Sequence, residues 1–253
     1  MTVGIGISCV DGIVLACDSL STFGRGVPVL RYSNKVHVLQ HDALENPVAV
    51  LHAGVTTFFD KFRDRALRTQ IGEASKQLKR KLDIIDFSDA VCEPVVTALF
   101  KEYTFDRNEF LGAPVSDFSL ALIVAGATRG GEELRAYFVH GDGLSERLEQ
   151  YGTVGSGAAF AELFLRYLLV GSEIKSVDAE RLSVYAIKGV ELMDPNVGGD
   201  VSILTLKLAK KQLVCSEVST AGKNETAKEK MQAVLEKLSK SIEGLVEESQ
   251  HAR

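Results

Sequence analysis

Runs of strand type fall in three blocks along the chain, and two blocks of helical periodicity separate them, an order that restricts the fold more than any single residue does. Segregated blocks of this kind indicate α+β layering, in which helices cover the outer faces of packed sheets. The first block holds Val3 to Cys9 and Ile13 to Cys17, separated by Val10-Asp11-Gly12. Asp-Gly between two apolar runs is a hairpin signal. Lys35 to Leu39 alternates polar and apolar residues, and Pro47 to His52 is a mostly apolar run ending at Ala53-Gly54. Four strands are therefore predicted before the first helix.

Phe58 to Leu82 places Phe59, Phe62, Ala66, Leu67, Ile71, Ala74, Leu78 and Leu82 at helical spacing, with Lys and Arg between them. Phe87 to Phe105 reads as a second helix with Ser88 as its N-cap, although Pro94 sits near its first turns. Both helices are expected on one face of a sheet. Asp106 to Pro114 reads as a polar connection, and Phe118 to Ala125 and Leu134 to Val139 as a strand pair turned by Thr128-Arg129-Gly130-Gly131. Gln150 to Val154 is a further short strand, Gly157 to Val170 and Ala179 to Met193 are helical, and Val201 to Leu208 and Gln212 to Val218 alternate as strands. The expected fold is a four-layer αββα sandwich over residues 1–220. Residues 221–253 read as a C-terminal amphipathic helix extension, in which Met231, Leu235, Leu238, Ile242 and Leu245 form a narrow apolar stripe among Lys and Glu. Such a stripe either docks on its own domain or meets another subunit.

Charge and hydropathy narrow the function classes. With 29 Lys and Arg against 34 Asp and Glu, the chain has a net charge of -5 and no basic field to hold a phosphate backbone. Nucleic acid is not an expected partner. No apolar run approaches the roughly 18–20 residues that cross a bilayer, and the first residues lack the basic-then-apolar form of a signal peptide. A cytoplasmic protein without a membrane association is expected. Cys9, Cys17, Cys92 and Cys215 are isolated, without C-x-x-C spacing, and read as reduced thiols with no zinc site.

Met1-Thr2 carries the sharpest chemical suggestion. Methionine is routinely trimmed before a small residue, which would leave Thr2 with an α-amino group beside its own hydroxyl. An α-amine titrates near pH ~8 rather than the ~10.4 of lysine, so it can be neutral at working pH and accept the hydroxyl proton. Threonine at position 2 is common, so the surrounding spacing has to carry the reading. Met1-Thr2-Val3-Gly4-Ile5-Gly6, Asp18-Ser19-Leu20-Ser21-Thr22-Phe23-Gly24 and Asn34-Lys35-Val36 together supply it. This order resembles the β-type subunits of the proteasome family of N-terminal-nucleophile hydrolases, which open with a mature threonine, place an aspartate sixteen residues later in a D-x-x-x-T-x-G context, and follow it with a lysine. Ala53-Gly54, Gly155-Ser156-Gly157 and Asp194-Pro195-Asn196-Val197-Gly198-Gly199 extend the resemblance over roughly residues 2 to 218.

The resemblance implies a threonine endopeptidase that works through an acyl-enzyme on Thr2. Thr2 would be nucleophile and its amine the proton acceptor. Lys35 would favour the neutral amine and the developing alkoxide, and Asp18 would pair with Lys35. The Gly54 N–H would supply the oxyanion hole, and Ser156 and Asp194 would support the amine. Ser21, Thr22, Gly54 and Thr56 would bind an extended polypeptide substrate, with His52 lining the pocket for the residue before the cut. No metal and no cofactor is implied. A ring or open-ring homo-oligomer is, with an ATPase unfoldase as a further candidate partner. One position departs from the pattern: the family's serine before the paired glycines is Val197 here, and a methyl-bearing side chain neither donates nor accepts. Two alternatives stand beside hydrolysis: a peptide ligase or transpeptidase using the same acyl-enzyme, and a catalytically silent assembly subunit.

Overall fold

β2 (Gly12–Asp18), β6 (Val48–Gly54) and β7 (Leu120–Ala127) are apolar on both faces, so each must lie inside a sheet that is itself covered on both sides. The computed structural model describes residues 2–23, 29–106, 119–169 and 173–219 and places them so. One sheet has the order β10 (Tyr151–Val154), β1 (Gly4–Cys9), β2, β11 (Val201–Ala209), β12 (Gln212–Ser219). The other has the order β5 (Val36–Leu39), β6, β7, β8 (Leu134–Val139), β9 (Ser145–Arg147). Paired neighbours run antiparallel throughout.

Strand alternation distributes the side chains among three cores. Leu15 and Cys17 enter the core between the sheets with Leu51, Ala53, Ile123 and Leu204. Their neighbours Val14 and Ala16 face the other way, onto Ala161 and Leu165 of α5 (Ala158–Leu168) and Ala186, Ile187 and Val190 of α6 (Ser176–Met193). On the opposite sheet Val50, Leu122 and Val124 pack against Phe59, Phe62, Phe87, Val96 and Leu99 of the helical segments between β6 and β7. The α+β fold is thus two antiparallel sheets with helices on their outer faces, consistent with the expected αββα layering. The sheets approach closely because β1 carries glycines on its inner face. A Cβ on Gly4 would fall 2.5 Å from Leu51 Cδ2, and one on Gly6 3.1 Å from Ile123 Cγ2.

The helices between β6 and β7 are less regular than their periodicity suggests. α1 (Thr56–Arg65) passes through a π-helical turn at Ala66–Gln70 into α2 (Ile71–Leu78), which ends where Lys79 turns left-handed at φ 54°. α3 (Ile84–Phe87) passes through a second such turn, Ser88–Cys92, into α4 (Glu93–Lys101). Pro94 has no N–H for the Ala90 carbonyl four residues back, and Gln70 Nε2 donates to that carbonyl instead at 2.9 Å.

Four sequence expectations are corrected. Among the described residues six strands precede the first helix, because β3 (Leu20–Phe23) and β4 (Val29–Tyr32) form an additional hairpin. The short strand β9 was also not foreseen. The second helical segment begins at Ile84, not Phe87, and its N-cap is Asp83, whose Oδ1 accepts from Ile85 N and Asp86 N at 3.0 Å each. Ser88 is fully buried inside the segment, and its hydroxyl finds no hydrogen-bond partner among the described residues. The C-terminal stripe from Met231 to Leu245 and most of the Asp106 to Pro114 connection lie outside the described residues. No helix among those described is long and apolar enough to cross a membrane.

Two glycines should respond oppositely to a side chain. Nothing lies within 4 Å of a Cβ built on Gly72, in α2, so Gly72→Ala is expected to raise stability by about 0.5–1 kcal/mol. Gly4→Val should lower it by about 1–3 kcal/mol by overpacking the sheet interface. Urea unfolding measures both, and a neutral Gly4→Val would mean that the sheets do not meet at β1.

Candidate functional site

The β1–β2 register pairs Gly4 with Cys17, so continuing the ladder one step brings Val3 opposite Asp18 at the mouth of the two sheets. Asp18 N donates to Val3 O at 3.2 Å, and Val3 N donates to Asp18 Oδ1 at 3.0 Å. The Asp18 side chain therefore holds the residue that follows Thr2 by its amide. Lys35 stands just before β5 on the other sheet, where its carbonyl accepts from His52 N at 2.9 Å. Its Nζ donates to Asp18 Oδ1 at 2.8 Å and to Leu20 O at 2.5 Å. From the loop before β11, Gly198 N donates to Asp18 Oδ2 at 3.3 Å, and Gly198 O accepts from Leu20 N at 3.0 Å.

Asp18 is fully buried and Lys35 is 2% exposed, so neither charge could be left unpaired without a large cost. Burial pushes the Asp18 carboxyl up from its ordinary value, while Lys35 and the Val3 and Gly198 N–H groups pull it down. Both carboxyl oxygens accept hydrogen bonds from nitrogen donors, the arrangement of an ionised carboxylate.

Thr2 is buried, at 4% exposure. Its N donates to Ser156 Oγ at 3.3 Å, and its carbonyl accepts from Gly157 N at 3.2 Å. Gly155 lies so close that a Cβ on it would stand 2.2 Å from Thr2 O, at a φ of +96° that already favours glycine. Gly157 is the N-cap residue of α5, and no side chain caps that helix, so Ser156 is committed to Thr2.

The structure thus gathers Thr2, Asp18, Lys35 and Ser156 in one connected cluster, with His52 paired through its backbone to Lys35. Gly54 is exposed at the end of β6, with φ +107°, and a Cβ there would meet Ser119 O at 2.0 Å. Thr56 opens α1. Ser21 lies on β3 with its Oγ 2.6 Å from Ser33 Oγ, and Thr22 follows on the same strand opposite Leu30. Asp194 faces its own turn: its Oδ1 accepts from Asn196 N and Nδ2 at 2.9 Å each, and its carbonyl accepts from Val197 N. Val197 is 2% exposed and packs in the core beneath α6, with Cγ2 3.2 Å from where a Gly157 Cβ would be. Two backbone groups were missed, the Gly198 N–H and the Leu20 carbonyl. The Gly198-Gly199 doublet was the available signal for the first. Among the described residues no group of three His, Cys, Asp or Glu side chains could hold a metal.

His52 is on β6, its ring parallel to that of Phe59 on α1 at 3.9 Å and stacked with His37 at 5.5 Å. Its Nδ1 and His37 Nε2 are buried and have no hydrogen-bond partner among the described residues. Burial, reinforced by the positive charges of His37, Lys35 and Arg63, pushes the His52 pKa from 6.5 down to about 3.

No family model matches the sequence, and no curated protein matches it either. The fold does have solved counterparts. One is the Gly-1 mutant of Anbu from Hyphomicrobium sp. strain MC1, with TM-score 0.68 and 13% identity over 96% of this chain and 100% of that one. Another is Anbu, an ancestral beta-subunit, from Yersinia bercovieri, with TM-score 0.67 and 15% identity over 93% and 96%. Identity this low carries the likeness at the level of fold alone. The assignment to the proteasome β-type subunits, drawn from the motifs, is therefore corrected to a distant relation of fold. Several of the motif residues are ones the fold itself demands: Gly54, Gly155 and Gly199 all have positive φ, and Val197 is core.

A pH dependence follows from His52. The unfolded chain takes up a proton as pH falls through 6.5, while the folded imidazole stays neutral until about 3. The stability it contributes is complete above pH 6.5 and is lost as pH falls through that window, by up to about 4–5 kcal/mol at its lower end. Burial shifts His37 in the same direction. Urea unfolding at pH 7.5, 6 and 5 should show a falling stability that His52→Leu partly flattens, and a constant wild-type value would contradict this placement of the ring.

Proposed function

We propose that this chain is an N-terminal-nucleophile hydrolase of the threonine type, which cleaves peptide bonds through an ester on Thr2 once Met1 has been removed. The observation that carries the reading is the buried Lys35–Asp18 pair tied to Val3 N, one peptide from Thr2. Each residue in that chain is of the type an activated nucleophile needs. In the proposed reaction the Thr2 amine takes the proton from Thr2 Oγ as the oxygen attacks the substrate carbonyl. The Lys35 charge stabilises the developing negative oxygen, and Asp18 fixes the ammonium through one short hydrogen bond. Gly54 N–H, at the exposed end of β6, is the proposed donor to the tetrahedral oxyanion. The amine returns its proton to the leaving nitrogen, and water then hydrolyses the ester with the amine again as base.

Ser156 supports this role, since its Oγ already lies against Thr2 N. Asp194 is proposed to act indirectly, by shaping the turn that carries Gly198. A polypeptide is the proposed substrate, held along β3 at Ser21 and Thr22 and along the Gly54 to Thr56 segment, with His52 behind it. Self-assembly is also proposed: α5 exposes Phe160, Leu163 and Tyr167 on one helical stripe, which a second copy would cover. The residue 221–253 extension is a further candidate contact. A specific observation favours a second reading, a silent assembly subunit, because Val197 places a buried methyl side chain where the resembling pattern has a hydroxyl.

Intact mass and peptide-amide hydrolysis, measured on the same preparation, separate the two. The mature protein is expected to start at Thr2 and to hydrolyse a fluorogenic peptide. Thr2→Ala should remove that activity by about 10³-fold or more without loss of thermal stability. Activity retained in Thr2→Ala would end the nucleophile reading, and a mature chain that keeps Met1 would favour the silent subunit.

A further inference from the structure

The helix beneath the site carries a buried charge that the proposed chemistry does not use. Lys188 on α6 is 3% exposed, and its Nζ donates to Glu191 Oε2 at 2.5 Å and to the Gly199 carbonyl at 2.7 Å. Glu191 in turn lies beneath Gly198, its carboxyl carbon 3.5 Å from the position of a Gly198 Cβ. Two side chains one helical turn apart therefore grip the Gly198-Gly199 pair, one by its carbonyl and one by its face. Gly199 has φ +80°, so the carbonyl that Lys188 holds belongs to a left-handed residue. The same pair presents Gly198 N–H to Asp18 Oδ2 and Gly198 O to Leu20 N.

We infer that Lys188 is a positioning residue for the Asp18–Lys35 pair, acting through Gly199 O and the Gly198 peptide. The path is contiguous: Lys188 Nζ to Gly199 O, along one peptide to Gly198 N–H, to the Asp18 carboxylate, to Lys35 Nζ. A lysine suits the task because its long apolar stem can be buried while a compact ammonium serves two acceptors. Removing it leaves the Gly199 carbonyl without that donor and the loop without its anchor to the helix. The donor on Asp18 Oδ2 then loses its fixed position, and with it one of the three hydrogen bonds that hold the carboxylate toward Lys35. The consequence for Thr2 rests on the reading of Thr2 as nucleophile.

Lys188→Met keeps the stem and removes the ammonium. Hydrogen exchange at Gly198 N–H is expected to quicken about tenfold or more, while Val124 N–H in β7 keeps its wild-type rate. Lys188→Arg, which restores a donor, should return Gly198 to within about threefold of wild type. Covalent trapping of Thr2 by a peptide boronate, followed against pH, is expected to shift its pH profile in Lys188→Met and to recover it in Lys188→Arg. Wild-type exchange at Gly198 in a folded Lys188→Met protein overturns the inference. Faster exchange with an unchanged trapping profile overturns its link to Thr2. If wild type is not trapped at all, the nucleophile reading falls, and Gly198 exchange still decides whether Lys188 holds the loop. Should Lys188→Met fail to fold, the isosteric Glu191→Gln reads the same coupling, with an expected change of about threefold at Gly198 and none as the contradicting result.

Discussion

The buried ion pair between Lys35 and Asp18 is the interaction on which the candidate site depends. It joins the two sheets, since Asp18 ends β2 of one and Lys35 enters β5 of the other. It also joins the first residues of the chain to both, because the same carboxylate oxygen accepts from Val3 N. A salt bridge at such depth contributes little net stability compared with apolar packing of equal volume. Its value lies in what each charge would cost alone, which obliges the strand ends, the Leu20 carbonyl and the Gly198 loop to converge on one place.

Around that point the backbone comes closer than side chains would allow, and glycine marks each approach. Gly155 lets the turn before α5 touch the Thr2 carbonyl, and Gly54 lets the end of β6 pass the Ser119 carbonyl. Away from the site, Gly4 and Gly6 do the same for the sheet interface. Thr2 is held by the Gly155–Gly157 turn, with Ser156 against its nitrogen and Asp18 beside the next amide. Preorganisation of this kind is what the proposed role of Thr2 would need.

Much of this was legible in the sequence because the central strands announce themselves. β2, β6, β7 and β11 are apolar runs bounded by turn residues, and the helical blocks between them keep a 3.6-residue period long enough to be read. The β3–β4 hairpin was not legible, since Leu20-Ser21-Thr22-Phe23 is too short and too mixed to separate from a loop. The capping role of Asp83 was legible but passed over, since Asp83-Ile84-Ile85-Asp86 is a local capping box, whereas the approach of Arg80 and Arg129 to Asp86 depends on tertiary placement. At the site, the family resemblance implied Thr2, Asp18, Lys35 and Ser156, and these lie in one connected cluster. The same reasoning gave Asp194 a direct role that its turn-bound carboxylate does not take among the described contacts. It missed the Gly198 N–H because backbone donors have no sequence signature beyond the glycine that permits them.

The central claim is that Asp18 and Lys35 act as one unit, and a double-mutant cycle on stability measures this most directly. Asp18→Asn and Lys35→Met are each expected to cost about 3–5 kcal/mol, since each strands the partner's charge in the interior. The double variant should cost less than the sum by at least about 2 kcal/mol. Losses that add to within about 0.5 kcal/mol would contradict the account, because the two charges would then be independent of one another and nothing would oblige the strands to meet at Thr2.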